Sequence, residues 1–268
     1  MRSERWLVAG LALAVAGCVT VGGNGNGNGG GQSSTNIPKV SKADQRKDAA
    51  RVHTELAQHY LALGNLQDAL AKLQLALKFD PDYVPAHTVI AFVYERIGKL
   101  PEAEENYRQA ERLAPNKGDT NNNLGQFLCR IGKAQESIGY FRKAVADPFY
   151  ATPDIALTNA GICQMQMNDL AGAQASFRDA LARNPGNGDA LFHLAEALYR
   201  QGDAFRARAF IQRFDALGKP SAASLQLGYD IESRLGNTDA AQSYLRRLQS
   251  QFPDSEQAHA VIPAVSRP

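Results

Sequence analysis

The chain has 268 residues, of which 44% are hydrophobic, with one Trp and a formal net charge of +2. This is an ordinary composition for a soluble chain. A balance so close to neutral gives no electrostatic footprint for nucleic acid or for an anionic membrane surface.

Arg2 and Arg5 precede an apolar run over residues 6–16. The run has the length of a signal-peptide core and is too short to span a bilayer. It ends in Val15-Ala16-Gly17-Cys18, which resembles a bacterial lipobox. The resemblance implies that residues 1–17 are a leader cut before the cysteine. It also implies that Cys18 carries a thioether-linked diacylglycerol, usually with an N-acyl chain. A plain signal peptide followed by a buried Cys18 is the alternative. Each buried methylene contributes ~0.8 kcal/mol, so two or three acyl chains anchor a chain that does not cross the membrane. Residue 19 is Val rather than Asp. By analogy with the enterobacterial sorting rule this favours the outer membrane of a Gram-negative bacterium, with the chain facing the periplasm. Removal of Arg2, Glu4 and Arg5 with the leader leaves the remainder near neutral.

Residues 18–41 read as the anchor and a tether, because 22–35 are almost wholly Gly, Asn, Gln and Ser and cannot bury apolar surface. About 23 residues of such chain reach ~25 to 30 Å, which would hold the rest of the chain clear of the lipid. Gly25, Gly27 and Gly30 satisfy G-x-G-x-x-G. No strand precedes them and no helix opens there, so the match is a low-complexity accident rather than a dinucleotide site.

A helix start is signalled near Ser41-Lys42-Ala43-Asp44, and from residue 50 the chain repeats itself every 34 residues. Tyr60, Gly64, Ala69, Ala76 and Pro81 are answered by Tyr94, Gly98, Ala103, Ala110 and Pro115. Leu56, Ala57 and Tyr60 recur at helical spacing on a first helix, and Ala69, Leu73, Ala76 and Leu77 on a second. Gly64-Asn65 breaks the two, since glycine accepts a left-handed C-cap. Proline at the unit's end pre-sets the dihedral for the next helix start. The turn position continues as Gly132, Asn168, Gly202 and Gly236, with one two-residue insertion between the third and fourth. The small residue five places on reads Ser137, Ala173, Ala207 and Ala241, and its large partner four further on reads Phe141, Phe177, Ile211 and Leu245. This pattern resembles the tetratricopeptide repeat, which implies an all-α, right-handed superhelical solenoid. Six units fill the domain at 42–255, as 50–83, 84–117, 118–151, 154–187, 188–221 and 222–255, and leave 256–268 as a C-terminal tail.

Catalytic chemistry needs a convergent site, and the five histidines (His53, His59, His87, His193, His259) form no H-E-x-x-H. No Cys-x-x-Cys pair is present, and Gly98-Lys99 and Gly132-Lys133 lack the upstream glycine of a P-loop. His53 and His87 share a repeat position and read as packing residues. The expectation is therefore a protein that is not an enzyme, with no metal, no cofactor and no small-molecule substrate.

With Cys18 lipidated, Cys129 and Cys163 are left as an even pair in an oxidising compartment. They fall on the first helices of neighbouring units, at repeat positions twelve and ten, and the insertion brings them toward alignment. Either they form a disulfide, closing a loop of about 34 residues for ~3 to 4 kcal/mol in the chain-entropy account, or they stay as two buried thiols. The insertion, around Asp147-Pro148-Phe149-Tyr150-Ala151-Thr152-Pro153, is expected to splay units three and four and kink the superhelix.

Several blocks together carry a more specific likeness. Asn121-Asn122-Asn123-Leu124-Gly125-Gln126-Phe127-Leu128-Cys129, Tyr140-Phe141, Ala146-Asp147-Pro148-Phe149-Tyr150, Asn159-Ala160-Gly161-Ile162-Cys163 and segment 199–214, combined with the lipobox and six repeats, resemble the PilF/PilW family of type IV pilus biogenesis lipoproteins. The resemblance implies a six-repeat outer-membrane lipoprotein. Several members of that family act as pilotins, so the implied partner is the type IV pilus secretin subunit, with the membrane met only through the acyl anchor and nucleic acid not involved. The long Gly/Asn tether departs from the family pattern.

Tetratricopeptide arrays bind through the concave wall of their first helices, and repeat positions 2, 5, 9, 12 and 13 face inward. Here these supply Thr54, Gln58 and Leu61; Thr88, Phe92, Glu95 and Arg96; and Asn122, Gln126 and Arg130. The fourth and fifth units add Thr158, Ile162 and Met165, then Phe192, Glu196, Tyr199 and Arg200. Apolar anchors mixed with Arg and amide groups suit an extended or helical peptide. The function expected is pilotin-like support of secretin localisation and multimer assembly. The competing readings are a lipid-anchored scaffold for other envelope or cell-wall machinery and an enzyme accessory or chaperone-like factor for exported proteins.

Overall fold

The computed structural model describes residues 41–261. The leader 1–17, Cys18 and the tether up to residue 40 lie outside the described residues, as do residues 262–268 of the tail. The described part is helical and built as consecutive antiparallel hairpins: α1 (Lys42–Ala62) with α2 (Leu66–Phe79), α3 (Val84–Arg96) with α4 (Leu100–Leu113), and α5 (Gly118–Arg130) with α6 (Ala134–Ala146). Beyond them come α7 (Pro153–Gln166) with α8 (Leu170–Arg183), α9 (Gly188–Arg200) with α10 (Ala204–Asp215), and α11 (Ala222–Arg234) with α12 (Thr238–Gln251). Every extensive helix contact lies within a hairpin or with the adjacent one, which is the solenoid rule.

Local chemistry sets the ends of these helices. Ser41 caps α1 by accepting the Asp44 N–H at 3.1 Å. Each first helix ends in a left-handed residue: Gly64, Gly98, Gly132, Gly202 and Gly236 at φ between +76° and +94°, and Asn168 at +60°. The amide after each donates back to the carbonyl five residues earlier, as from Asn65 to Tyr60 and from Asp203 to Leu198 at 2.9 Å. That closes a Schellman turn in all six hairpins and satisfies carbonyls the helix end would leave bare.

Residue size then sets the packing. Ala69, Ala103, Ser137, Ala173, Ala207 and Ala241 are all buried where the two helices of a hairpin cross. The large partner on each second helix lies over the middle of the first, and in the third and fourth hairpins that spot is glycine. A Cβ on Gly125 would come within 2.9 Å of the Phe141 ring, and one on Gly161 closer still to Phe177. The sixth hairpin departs from the 34-residue grid. Tyr244, not Leu245, is the buried partner and packs on Gly228, so both contacts move one residue earlier. The unit-ending prolines also differ from expectation, because Pro81 and Pro115 lie in the interhelix turns rather than opening a helix. Their carbonyls receive side-chain bonds instead, from His87 Nε2 at 2.8 Å and Asn121 Nδ2 at 2.8 Å.

The insertion does not splay units three and four. Asp147 accepts the Gly118 N–H at 2.8 Å and the Phe149 N–H at 2.9 Å, and Tyr150 turns inward over Gly118, where no side chain stands in its way. The ring is buried, and α6 packs against α7 more extensively than any other helices joined across a hairpin junction. The extra residues are thus consumed in making this junction tight. After α12, residues Glu256–Val261 form a short α13 that packs on α11 and α12 with Ala258 buried against Leu225, Tyr244 and Leu248. It covers the apolar flank that a last hairpin would leave exposed.

Candidate partner-binding wall

The first helices α1, α3, α5, α7, α9 and α11 form one wall, and from α3 onward polar side chains link it hairpin to hairpin. Arg130 on α5 donates to both carboxylate oxygens of Glu95 on α3, at 2.6 and 2.9 Å. Asn159 on α7 donates to Asn122 on α5 at 3.0 Å. Arg200 reaches Asn168 at 3.5 Å, and the Arg234 guanidinium lies 5.5 Å over the Tyr199 ring. Tyr107 supports the Glu95–Arg130 pair from behind with a 3.3 Å bond to Glu95. Burial, and secondarily the Glu95 charge, raises the Tyr107 hydroxyl far above its ordinary value, so it remains a donor.

The wall positions do not all reach the surface. Thr54, Asn122 and Met165 are buried, as is Thr158. Thr54 and Thr158 return their hydroxyls to carbonyls four residues back at 2.8 Å, and Asn122 is spent on Asn159. Met165 is part of the core formed with Phe177 and Leu194. These four are supports of the wall and are not available to a partner. Gln58, Phe92, Arg96, Arg130 and Arg200 are exposed, and Leu61, Thr88, Glu95, Gln126, Ile162, Phe192 and Tyr199 are partly so. Arg96 lies 5.8 Å over the Phe92 ring, which fixes an exposed aromatic and a cation side by side.

The inward register extends into the sixth hairpin, where Asp230 and Arg234 occupy positions nine and thirteen. The expected wall stops at the fifth unit, although the 34-residue spacing from Glu196 and Arg200 leads to both. Asp230 has no hydrogen-bond or ion-pair partner among the described residues, and partial burial raises its carboxyl above the usual range.

His53 stacks on Phe79 with ring centroids 5.5 Å apart, and His87 is bonded through both ring nitrogens, to Pro81 O and to Asn106 Oδ1 at 2.9 Å. Both are packing groups. Among the described residues no three His, Cys, Asp or Glu side chains are grouped as a metal ion would need, and no helix is long and apolar enough to cross a membrane. Cys129 on α5 and Cys163 on α7 face each other with Cα atoms 5.9 Å apart, inside the span a disulfide requires, and both are buried.

Stacked helix pairs closed by left-handed turns and presenting an inner wall define a tetratricopeptide-repeat protein. Models described as tetratricopeptide repeat match residues 50–83, 91–151, 159–222 and 222–255, and together they span most of the chain. The crystal structure of PilW, a widely conserved type IV pilus biogenesis factor, is 35% identical, with a TM-score of 0.73, and the match covers 79% of this chain and 97% of that one. The type IV pilus assembly protein PilF of Pseudomonas aeruginosa is 28% identical over 250 residues, 93% of this chain and 94% of that protein. The solved structure of Pseudomonas aeruginosa PilF gives a TM-score of 0.72 at 27% identity, covering 81% of this chain and 97% of that one. The chain belongs to the tetratricopeptide-repeat family and, within it, to the PilF/PilW type.

Proposed function

We propose that this protein acts in type IV pilus biogenesis as an outer-membrane lipoprotein: Cys18 anchors it, and the wall of first helices holds the secretin subunit so that it reaches the outer membrane and assembles into multimers. The observation that carries the reading is similarity along nearly the whole length of two pilus factors, PilW and PilF, not a shared repeat alone. The wall supports it. Phe92 with Arg96, and Phe192 with Tyr199, offer aromatic anchors beside donors suited to a peptide backbone and its charges. The domain reading that goes with it places a leader at 1–17, the anchor and tether at 18–41 and the binding array at 42–255.

We also infer that Cys129 and Cys163 are bridged in the periplasm, which fixes α5 to α7 and gives the wall a rigid middle. Their separation and the oxidising compartment support this.

The test is Cys18→Ala in the cell. The variant is expected to leave the repeats folded while secretin subunits are mislocalised and pili are lost. Normal secretin multimers in that cell would remove the anchoring role.

A further inference from the structure

The wall of the last two hairpins holds two acid-to-base pairs at the spacing that favours a bridge on a helix surface, Glu196 to Arg200 on α9 and Asp230 to Arg234 on α11. Elsewhere in the chain the same spacing is used, as Glu104 and Arg108 bridge at 2.8 Å on α4. Here neither pair closes. Arg200 turns to Asn168, Arg234 lies over the Tyr199 ring, and Glu196 takes His193 Nδ1 at 3.1 Å. Asp230 is left with nothing, although partial burial has already cost it water. The two guanidiniums are exposed and bonded to no carboxylate. An unpartnered carboxylate and two exposed guanidiniums that meet no carboxylate, on neighbouring helices of one wall, are groups that a ligand can satisfy.

We propose that the wall of α9 and α11 receives an extended segment of mixed charge from a partner protein, with acidic side chains meeting Arg200 and Arg234 and a basic side chain meeting Asp230. This deepens the reading of the wall as the seat of the partner and rests on it. Charge complementarity sets the class, because an all-acidic or all-basic segment leaves one set unmatched. Geometry sets the conformation. A polyproline-II chain rises ~3.1 Å per residue with three residues per turn, so residues i and i+3 face the same side about 9 Å apart. Carboxylates that recur at this interval on one side of the segment can meet Arg200 on α9 and Arg234 on α11 in turn.

The probes are three labelled nine-residue peptides, three copies each of Glu-Lys-Pro, Glu-Ser-Pro and Ser-Lys-Pro, titrated against the full-length lipoprotein in detergent. The mixed peptide is expected to bind at least about tenfold more tightly than either of the others, the scale of one charge-assisted hydrogen bond. Asp230→Asn should lose that advantage while leaving Glu-Ser-Pro binding unchanged. Arg200→Gln with Arg234→Gln should weaken both acidic peptides about tenfold. Asp230→Asn should melt at or above the wild-type temperature, since it removes an unpaired carboxylate. A lower melting temperature would make Asp230 a structural group and overturn the proposal. So would unchanged binding of the mixed peptide, a response to these substitutions only in phosphatidylglycerol vesicle binding, or one only in self-association by sedimentation. If secretin capture falls with Phe92→Ala but ignores Asp230→Asn, the wall stands as the partner's seat and the mixed-charge site is lost. If neither matters, the wall reading fails as well.

Discussion

Two aspartates separate the middle of the solenoid from its end. At the junction of the third and fourth hairpins, Asp147 accepts two backbone N–H groups, first Gly118 and then Phe149, and these hold its carboxyl below the usual range. On the sixth hairpin Asp230 has no partner and is pushed the other way by burial. Around Asp147 the polar groups are used internally: Asn122 on Asn159, Tyr150 over Gly118, and Cys129 against Cys163. Around Asp230 no carboxylate meets Arg200 or Arg234, which turn to Asn168 and to the Tyr199 ring. One region spends its chemistry on rigidity, and the other keeps it for a visitor.

The largest effect that sharpens this contrast lies at the cysteines. Reduction, or Cys163→Ser, should lower unfolding stability by ~3 to 4 kcal/mol on the loop-entropy account. Denaturant titration with and without reductant reads this directly, and thiol labelling of the unfolded chain counts the free sulfurs. An identical midpoint in both would mean the junction is held by packing alone.

A smaller effect comes from the aspartates, with opposite signs. Asp147 has a depressed folded-state value, so its contribution is present above the ordinary carboxylate range and is lost as pH falls through the folded value. Asp230 has a raised value, so its penalty is present at neutral pH and fades as pH falls through that raised value. Melting temperature against pH should therefore fall less steeply on the acid side in Asp147→Asn than in the wild type. In Asp230→Asn it should lose the compensating gain just above the ordinary carboxylate range. Parallel curves for all three proteins would erase the distinction between the two regions.

Much of the fold was legible because a repeat places backbone demands at fixed chain positions. A left-handed turn admits Gly or Asn, and a helix crossing admits Ala or Ser, so Gly64 to Gly236 and Ala69 to Ala241 could be counted without coordinates. The failures depended on neighbours. The insertion read as a wedge because its length was visible, whereas the cradle that Asp147 and Gly118 offer to the loop was not. The one-residue shift in the last hairpin hides because Tyr244 and Leu245 are both large and apolar, and only the placement of Gly228 decides between them. For the wall, register placed Thr54, Asn122 and Met165 on the correct helices but gave no account of which side chains turn inward for a bond. Asp230 and Arg234 lie in the sixth unit, one past the last that supplies an expected wall residue. The unclosed pairs were invisible too, since i to i+4 spacing predicts a bridge and rotamer choice undoes it.

The inner wall, and not the outer face of the second helices, is the face expected to grip the secretin subunit. A photo-crosslinking residue placed singly at Gln58, Phe92 or Gln126 on the wall, and at Arg142 on α6 as the outer control, tests it in intact membranes. An adduct with the secretin subunit is expected from the wall positions and none from Arg142. Adducts from Arg142 alone, or none of the secretin from any wall position in piliated cells, would contradict it.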